Sequence, residues 1–475
     1  MTANEVHALL PLMLVAGTAV VVLLMMAIRR SHAVAFALTL AGLAASFCLI
    51  FFVPTAQVTP LLDIDRYALF FFGLITAASI AVALLAYGYF DKREGNKEEF
   101  YVLLLVATLG AMVLAASSHF ATLFLGLEVL SVGLYSLIGY LPNRPLPIEA
   151  AIKYLVLAGS SAAFMLFGIA LVYAALGTMD FARIAQMVTA RTDLDLTLLL
   201  PGVALVLTGI GFKLALVPFH MWTPDVYEGA PAPVSAFVAT VSKGGMFALL
   251  LRYFHQSAFQ HYGPLMVVLI IIAIASMLAG NLLALLQSNV KRILAYSSIA
   301  HMGYVLVALE VGGAMGATAV IFYLIAYFVM TLGAFAVVTV LSPQDRDADR
   351  IEDYRGLFWR RPVLALVMTA MLLSLAGIPM TAGFIGKFYI IAAGASAGSW
   401  ALILILIIAS TIGLFYYLRI VVALYQQPGE VGQAIHVRMP TAAVALTALT
   451  LILIWLGVYP SEILKAIQSA VSSLL

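Results

Sequence analysis

The sequence predicts an all-α polytopic membrane protein of about fourteen transmembrane helices, with helices 7 and 12 broken. Three observations carry that reading. Of 475 residues, 64% are hydrophobic and only 10% are Asp, Glu, Lys or Arg; soluble domains carry roughly 25% charged residues, so this chain lacks the side chains for a water-facing shell. Apolar runs of about 20 residues, the length that crosses ~30 Å of hydrocarbon, follow one another with short polar joints. The basic residues of those joints separate onto alternate sides of the predicted membrane.

The runs lie near 8–28, 33–54, 67–90, 100–117, 119–140, 150–176, 199–217, 232–254, 264–286, 293–310, 314–341, 362–396, 399–424 and 440–459. The first lacks a basic leader and is followed by Arg29 and Arg30, so it reads as a retained helix rather than a cleaved signal. The seventh is interrupted by Val217-Pro218-Phe219-His220 and the twelfth by Gly377-Ile378-Pro379-Met380. Proline removes a backbone donor, and lipid cannot satisfy the carbonyl it frees, so such breaks belong inside protein or beside water. The two broken helices are five spans apart and cross in opposite senses. That predicts an inverted repeat of helices 4–8 and 9–13. The expected divisions are an N-terminal three-helix segment (1–95), a first repeat (96–258), a second (259–425), and a C-terminal helix and tail (426–475).

Fourteen basic residues fall in joints on one side, among them Arg29, Arg30, Lys291, Arg292, Arg346 and Arg438. Five fall on the other: Arg66, Arg183, Arg191, Arg252 and Lys465. By the positive-inside rule the first group is cytoplasmic, which puts both termini on the periplasmic side of a bacterial inner membrane. Five basic residues remain. Lys153 and Arg419 are near enough to helix ends to snorkel to the interface. Lys213, Lys243 and Lys387 are not. Lys243 is about eleven residues into its helix, or ~16 Å deep, and the other two sit beside the breaks.

Glu128, about nine residues into the fifth helix, is the acidic counterpart at depth. An ionisable group at mid-bilayer costs at least ~2.5–3.5 kcal/mol on insertion scales. Interhelical glue accounts poorly for three lysines facing one carboxylate, because an apolar pair holds helices at lower cost. Lysine chemistry accounts for them better. Desolvation favours a neutral amine, and a carboxylate 4 Å away restores the ammonium by ~4 kcal/mol at an effective dielectric of about 20. Small movements of Glu128 relative to Lys213 would thus load or unload a proton, which arginine does not release. His220 and His301 are candidate relay residues, although a lone helical His is as often a hydrogen-bonded core residue. Ser297, Ser298 and Tyr304 near His301 would order water or serve as helix contacts.

A net charge of +2 gives no reason to expect nucleic acid, and one cysteine, Cys48, allows no disulfide, Cys-rich zinc site or iron–sulfur cluster. No metal-binding HExxH, phosphate loop or dinucleotide fingerprint occurs. Asp225 and Glu228 read as loop residues with a solvated role.

Three segments carry a resemblance. They are Gly211-Phe-Lys-Leu-Ala-Leu-Val-Pro-Phe-His-Met-Trp-Thr-Pro-Asp-Val-Tyr-Glu-Gly-Ala-Pro-Ala-Pro-Val234 continuing to Ser242-Lys243, Asn289-Val-Lys-Arg-Ile-Leu-Ala-Tyr-Ser-Ser-Ile-Ala-His301, and Ser374-Leu-Ala-Gly-Ile-Pro-Met-Thr-Ala-Gly-Phe-Ile-Gly-Lys387. Over its whole length the chain resembles the antiporter-like subunits of respiratory complex I, the NADH-quinone oxidoreductase. Trp222-Thr-Pro-Asp225 and the lack of a long lateral helix narrow the likeness to one of the three antiporter-like types, and Lys387 stands where another type carries glutamate.

The resemblance implies that Glu128 and Lys213 form a first half-channel pair, Lys243 a central relay and Lys387 a second half-channel site. It implies no cofactor on this chain, with NADH, FMN, iron–sulfur clusters and quinone on partner subunits. Its partners would be other membrane subunits, including neighbouring antiporter-like ones, and the lipid bilayer. Two rivals remain at this point: a subunit of a multisubunit Na⁺/H⁺ antiporter, and a structural spacer without transport.

Overall fold

The computed structural model describes residues 2–190, 196–257, 262–427 and 439–475; Arg191 and Arg438, two of the loop charges above, lie outside them. The chain runs α1 (Ala3–Ile28), α2 (His32–Leu49), β1 (Ala56–Val58), β2 (Leu62–Ile64), α3 (Arg66–Asp91), α4 (Glu99–Ala116), α5 (Phe120–Ile138) and α6 (Pro145–Leu176). It continues through α7 (Phe181–Ala190), α8 (Leu196–Leu214), α9 (Trp222–Gly229), α10 (Ala232–Phe237), α11 (Lys243–Gln256), α12 (Gly263–Leu285), α13 (Val290–Val311) and α14 (Gly313–Leu341). The last elements are α15 (Leu357–Arg360), α16 (Pro362–Ala376), α17 (Ala382–Ser396), α18 (Trp400–Tyr425), α19 (Pro440–Val458) and α20 (Ser461–Leu474).

Among the described residues thirteen helices, counting Ala232–Gln256 as one, are long and apolar enough to span a membrane. The shorter apolar pair α16 and α17 supplies the broken twelfth span. Helix starts follow local chemistry. Asp65 caps α3 by accepting from the Ala68 amide at 2.7 Å, Asn289 caps α13, and Thr381 caps α17. Left-handed glycines at 177 and 377 end α6 and α16.

Helix pairs repeat with an offset of five spans. α4 packs on α5 as α12 packs on α13, and α4 packs on α11 as α12 packs on α18. The register is conserved between the copies. Gly110 lies against the Gly126 carbonyl and the Leu130 backbone, and Gly280 lies against the Tyr296 carbonyl and the Ala300 backbone. Gly133 meets Ala107 and the Leu103 carbonyl, and Gly303 meets Met277 and the Ala273 carbonyl. Every residue in the second crossing is numbered 170 above its counterpart in the first. Ser298 therefore occupies the place of Glu128, and His301 the place of Ser131.

Ala232–Gln256, α13 and α14 are enclosed by protein along almost their whole length and form the centre. Lys243, Ser298, His301, Tyr323 and Tyr327, which these helices carry, are consequently removed from lipid.

Several features escaped the sequence reading. The α7 and α20 helices and the β1–β2 hairpin occupy stretches read as joints or tail. A π-helical turn, Val238–Ser242, stands directly before Lys243; such turns cluster at functional sites. Asp225 and Glu228 lie on α9 rather than in a loop, because the chain resumes helix after the break at Leu214.

Candidate functional site

Lys213 sits in the last turn of α8, 2% exposed. Its Nζ donates to Ser131 Oγ at 3.0 Å and to Tyr154 OH at 2.9 Å. The helix stops there, and the Phe212 carbonyl, which accepts from the Ala215 amide at 3.0 Å, also accepts from Trp222 Nε1 at 2.9 Å, which holds α9 against the break. Ser131 donates its own proton to the Leu127 carbonyl at 2.7 Å, leaving lone pairs for the lysine. Glu128 lies one turn earlier on α5 and is half-buried; its Oε1 is buried without a protein donor. Glu128 and Lys213 do not form the direct ion pair that their depths suggested. Ser131 and Tyr154 take the ammonium, and no Glu128 oxygen comes within 4.0 Å of it.

Lys243 is fully buried and donates to Ser298 Oγ at 2.6 Å. That hydroxyl also contacts Tyr327 OH at 2.6 Å and Tyr227 OH at 3.3 Å. One helical turn on, His301 Nδ1 bonds Tyr323 OH at 2.7 Å and Nε2 bonds Tyr417 OH at 3.0 Å. Tyr417 closes on Ser297 Oγ. Ser298 and His301 thus place two hydrogen-bonded clusters on one face of α13.

Lys387, on α17, reaches back to the open end of α16. Its Nζ donates to the Ala376 carbonyl at 2.7 Å, the Leu375 carbonyl at 3.0 Å and Ser410 Oγ at 2.7 Å. The break supplies these acceptors, because a helix leaves its last carbonyls unpaired. The Lys387 ammonium also stands 5.3 Å from the centre of the Tyr304 ring. Among the described residues, none of the three lysines has a carboxylate oxygen within 4.0 Å. His220, beyond the first break, is 8% exposed, and neither ring nitrogen makes a well-formed hydrogen bond.

Charges read as joint residues prove to be interior. Lys291 is fully buried, ion-paired to Asp347 at 2.7 Å, and donates to the Glu228 and Ala230 carbonyls at 2.8 and 2.6 Å. Tyr89 OH donates to the same Asp347 at 2.6 Å. Arg252 is likewise enclosed and paired with Asp65 at 2.7 Å. Asp225 is not simply solvated: it joins Lys153 of α6 at 2.7 Å to Arg292 of α13 at 2.9 Å. Glu228 pairs with Arg292 at 2.7 Å. Lys153 remains partly exposed as an interface residue should, while Arg419 turns to the Leu285 carbonyl at 3.2 Å.

Sequence reasoning missed Ser131, Tyr154, Tyr327 and Ser410. Ser131 was findable, since it follows Glu128 by three residues and shares its helical face. Tyr154, Tyr327 and Ser410 come from other helices, and spacing gives no signal for them. Among the described residues, no three His, Cys, Asp or Glu side chains gather as metal ligands would.

The profile described as NADH:quinone oxidoreductase/Mrp antiporter, TM, matches residues 117–413. The chain is 47% identical to NADH-quinone oxidoreductase subunit N of Methylococcus capsulatus, covering 98% of this chain and 95% of that protein. It is 46% identical to the protein of the same name from Ectopseudomonas mendocina, over 99% and 97% of the two chains. Among solved structures, a chain of respiratory complex I from Thermus thermophilus is similar at a TM-score of 0.83, with 33% identity over 97% of this chain and 99% of that one. A chain of an archaeal membrane-bound sulfane sulfur reductase superposes at 0.87, with 26% identity over 99% and 98%.

Proposed function

We propose, from the premise that the chain belongs to the NADH:quinone oxidoreductase/Mrp antiporter family of membrane subunits, that protons cross it by way of Lys213, Lys243 and Lys387. It is a multi-pass, proton-translocating membrane subunit of an NADH-quinone oxidoreductase and has no redox chemistry of its own. Glu128 and Lys213 serve the first half-channel, Lys243 the centre and Lys387 the second half-channel, with His301 and His220 as relay steps. The proposed divisions remain 1–95, 96–258, 259–425 and 426–475, the middle two being the inverted repeats.

One observation carries the reading: each lysine is buried at membrane depth, lacks a carboxylate partner at salt-bridge distance, and donates to a serine hydroxyl. A structural ammonium in hydrocarbon would be neutralised by a close counter-ion. A hydroxyl instead accepts a proton on one side and releases its own on the other, so Ser298 with Tyr327 can pass what Lys243 delivers. Water completes the gaps between clusters, where polar side chains provide the partners it needs.

We assign NADH, FMN, the iron–sulfur clusters and quinone reduction to partner subunits, and the neighbouring membrane contacts to other antiporter-like subunits and lipid. The chain sits in a bacterial inner membrane with both termini periplasmic. The decisive experiment is Lys387→Ala in the intact complex, reconstituted in vesicles. Assembly and subunit content stay normal while quinone-coupled proton uptake falls severalfold; unchanged uptake would show that Lys387 is a spacer.

A further inference from the structure

Asn281 of α12 is fully buried, with both amide hydrogens and the amide oxygen in use. Its Nδ2 donates to the Met277 carbonyl at 2.7 Å and to Tyr304 OH at 2.9 Å. Its Oδ1 accepts from Tyr416 OH at 3.0 Å. A carbonyl only accepts, so the Met277 contact fixes which amide atom is the nitrogen. Two consequences follow for the tyrosines. The Tyr416 proton is committed to an amide oxygen. The Tyr304 oxygen is an acceptor, and among the described residues its own proton has no acceptor.

Both tyrosines adjoin the His301 cluster. Tyr304 follows His301 by one turn of α13, their ring centres 5.4 Å apart, and the Lys387 ammonium stands 5.3 Å from the Tyr304 ring centre. Tyr416 lies against Tyr417, ring centres 4.4 Å apart, and Tyr417 bonds His301 Nε2. An amide neither takes up nor releases a proton near neutral pH, so a path through Tyr416 ends at Asn281.

Packing alone does not call for the amide. In the 170-residue register Ala111 holds the place of Asn281, and Leu134 that of Tyr304. A Cβ on Gly245 would stand 3.0 Å from Ala111 Cβ, and one on Gly413 would stand 2.9 Å from Asn281 Oδ1. The first half thus closes the same crossing with a methyl group, whereas a buried amide is costly unless its bonds are made.

We propose that Asn281 is a positioning residue that directs protons between His301 and Lys387 through the Tyr304 hydroxyl and closes the branch at Tyr416. The proposal rests on the reading that Lys387 carries protons. Tyr304 gives its proton through water to the neutral Lys387 amine and regains one from the His301 side, so the phenol ends as it began. The Asn281 N–H steadies the negative charge that develops on the phenol oxygen between the two events.

The test measures redox-driven proton uptake by the intact complex in vesicles, in ordinary and heavy water, with Lys387→Ala as the reference. Asn281→Leu and Tyr304→Phe should each lower uptake about fivefold or more with normal subunit content. The two changes together should be little worse than the worse single one. Tyr416→Phe should stay within about twofold of wild type. The solvent isotope effect should rise in Asn281→Leu, because transfer at Tyr304 becomes rate-limiting; a packing defect would leave it at the native value. Equal losses in the two tyrosine variants, additive losses in the double variant, or an unchanged isotope effect overturn the proposal, and low uptake in Lys387→Ala then leaves the lysine reading standing. Full uptake by Lys387→Ala overturns both. Should Asn281→Leu fail to assemble, the tyrosine variants decide: a loss confined to Tyr304→Phe supports the assignment, and any other pattern refutes it.

Discussion

Ser298 stands on α13 where Glu128 stands on α5, at equivalent positions of two helix crossings that share one register, and Lys243 donates to it at 2.6 Å. The two halves thus use one position differently. The first places a carboxylate there that faces a lysine at a distance, and the second a hydroxyl in direct contact with the central lysine. The Ser298 hydroxyl ties Lys243 to Tyr327 and Tyr227.

Ser298→Ala removes the acceptor of a buried ammonium and leaves two tyrosines without their shared partner. A stranded buried donor costs about 1–3 kcal/mol. If that cost falls on the proton-bearing state of Lys243, redox-driven pumping drops by roughly 5- to 150-fold with the complex still assembled. Ser298→Thr keeps the hydroxyl and should retain most activity. Equal losses in both variants, measured in reconstituted vesicles, would point to packing rather than transfer.

The spans were legible because each apolar run has the length hydrocarbon demands, and the breaks because Pro218 and Pro379 interrupt such runs. The depth of Lys213, Lys243 and Lys387 followed from counting. Their partners did not, since Tyr154, Tyr327 and Ser410 reach them from other helices. Lys291 and Arg252 were assigned to joints because hydropathy marks a helix end without telling whether a later segment covers it. Asp347 folds back over the first and the β2–α3 junction over the second. The 170-residue register was hidden by weak identity between the halves and emerged from glycine contacts alone.

Asp347→Asn should destabilise the subunit. It leaves the fully buried Lys291 without its carboxylate, and breaking such a pair costs about 3–5 kcal/mol. The pH dependence has a definite sign. Burial pushes the Asp347 carboxyl up, but Lys291, Tyr89 and Arg93 outweigh it and hold the group below its ordinary 3.8. A depressed carboxylate contributes stability that is whole above the unfolded value and lost as pH falls through the folded one. The melting difference between wild type and variant should hold steady from neutral pH to about 5 and narrow only below ~4. A difference that vanishes already near pH 6 would assign the effect to another group.

Gly377 ends α16 with φ +84, and a Cβ there would stand 2.8 Å from Lys387 Cδ and 2.9 Å from its Nζ. Gly377→Ala therefore both strains the turn and pushes the lysine from the Ala376 carbonyl. Proton uptake should fall as it does for Lys387→Ala, and adding the glycine change to Lys387→Ala should lower it little further. A clearly additive loss would mean that the glycine serves the fold independently of the lysine.

Glu128 and Lys213 should behave as a unit although Ser131 and Tyr154 hold the ammonium between them. Glu128→Gln removes the charge that favours a protonated lysine, so loading fails although the hydroxyl contacts persist. Lys213→Met leaves the half-buried carboxylate facing an apolar side chain, and the carboxylate should respond by taking up a proton. Either change stops transfer at the same step. The double variant should pump little worse than the worse single one, as expected for residues with one shared task. Ser131→Ala supplies the control for geometry, because it loosens the lysine while both charges remain, and it should cost less than either charge change. Proton pumping by all four variants in vesicles measures this directly. Additive losses from the two charge changes would place Glu128 and Lys213 in separate steps and end the shared-loading account.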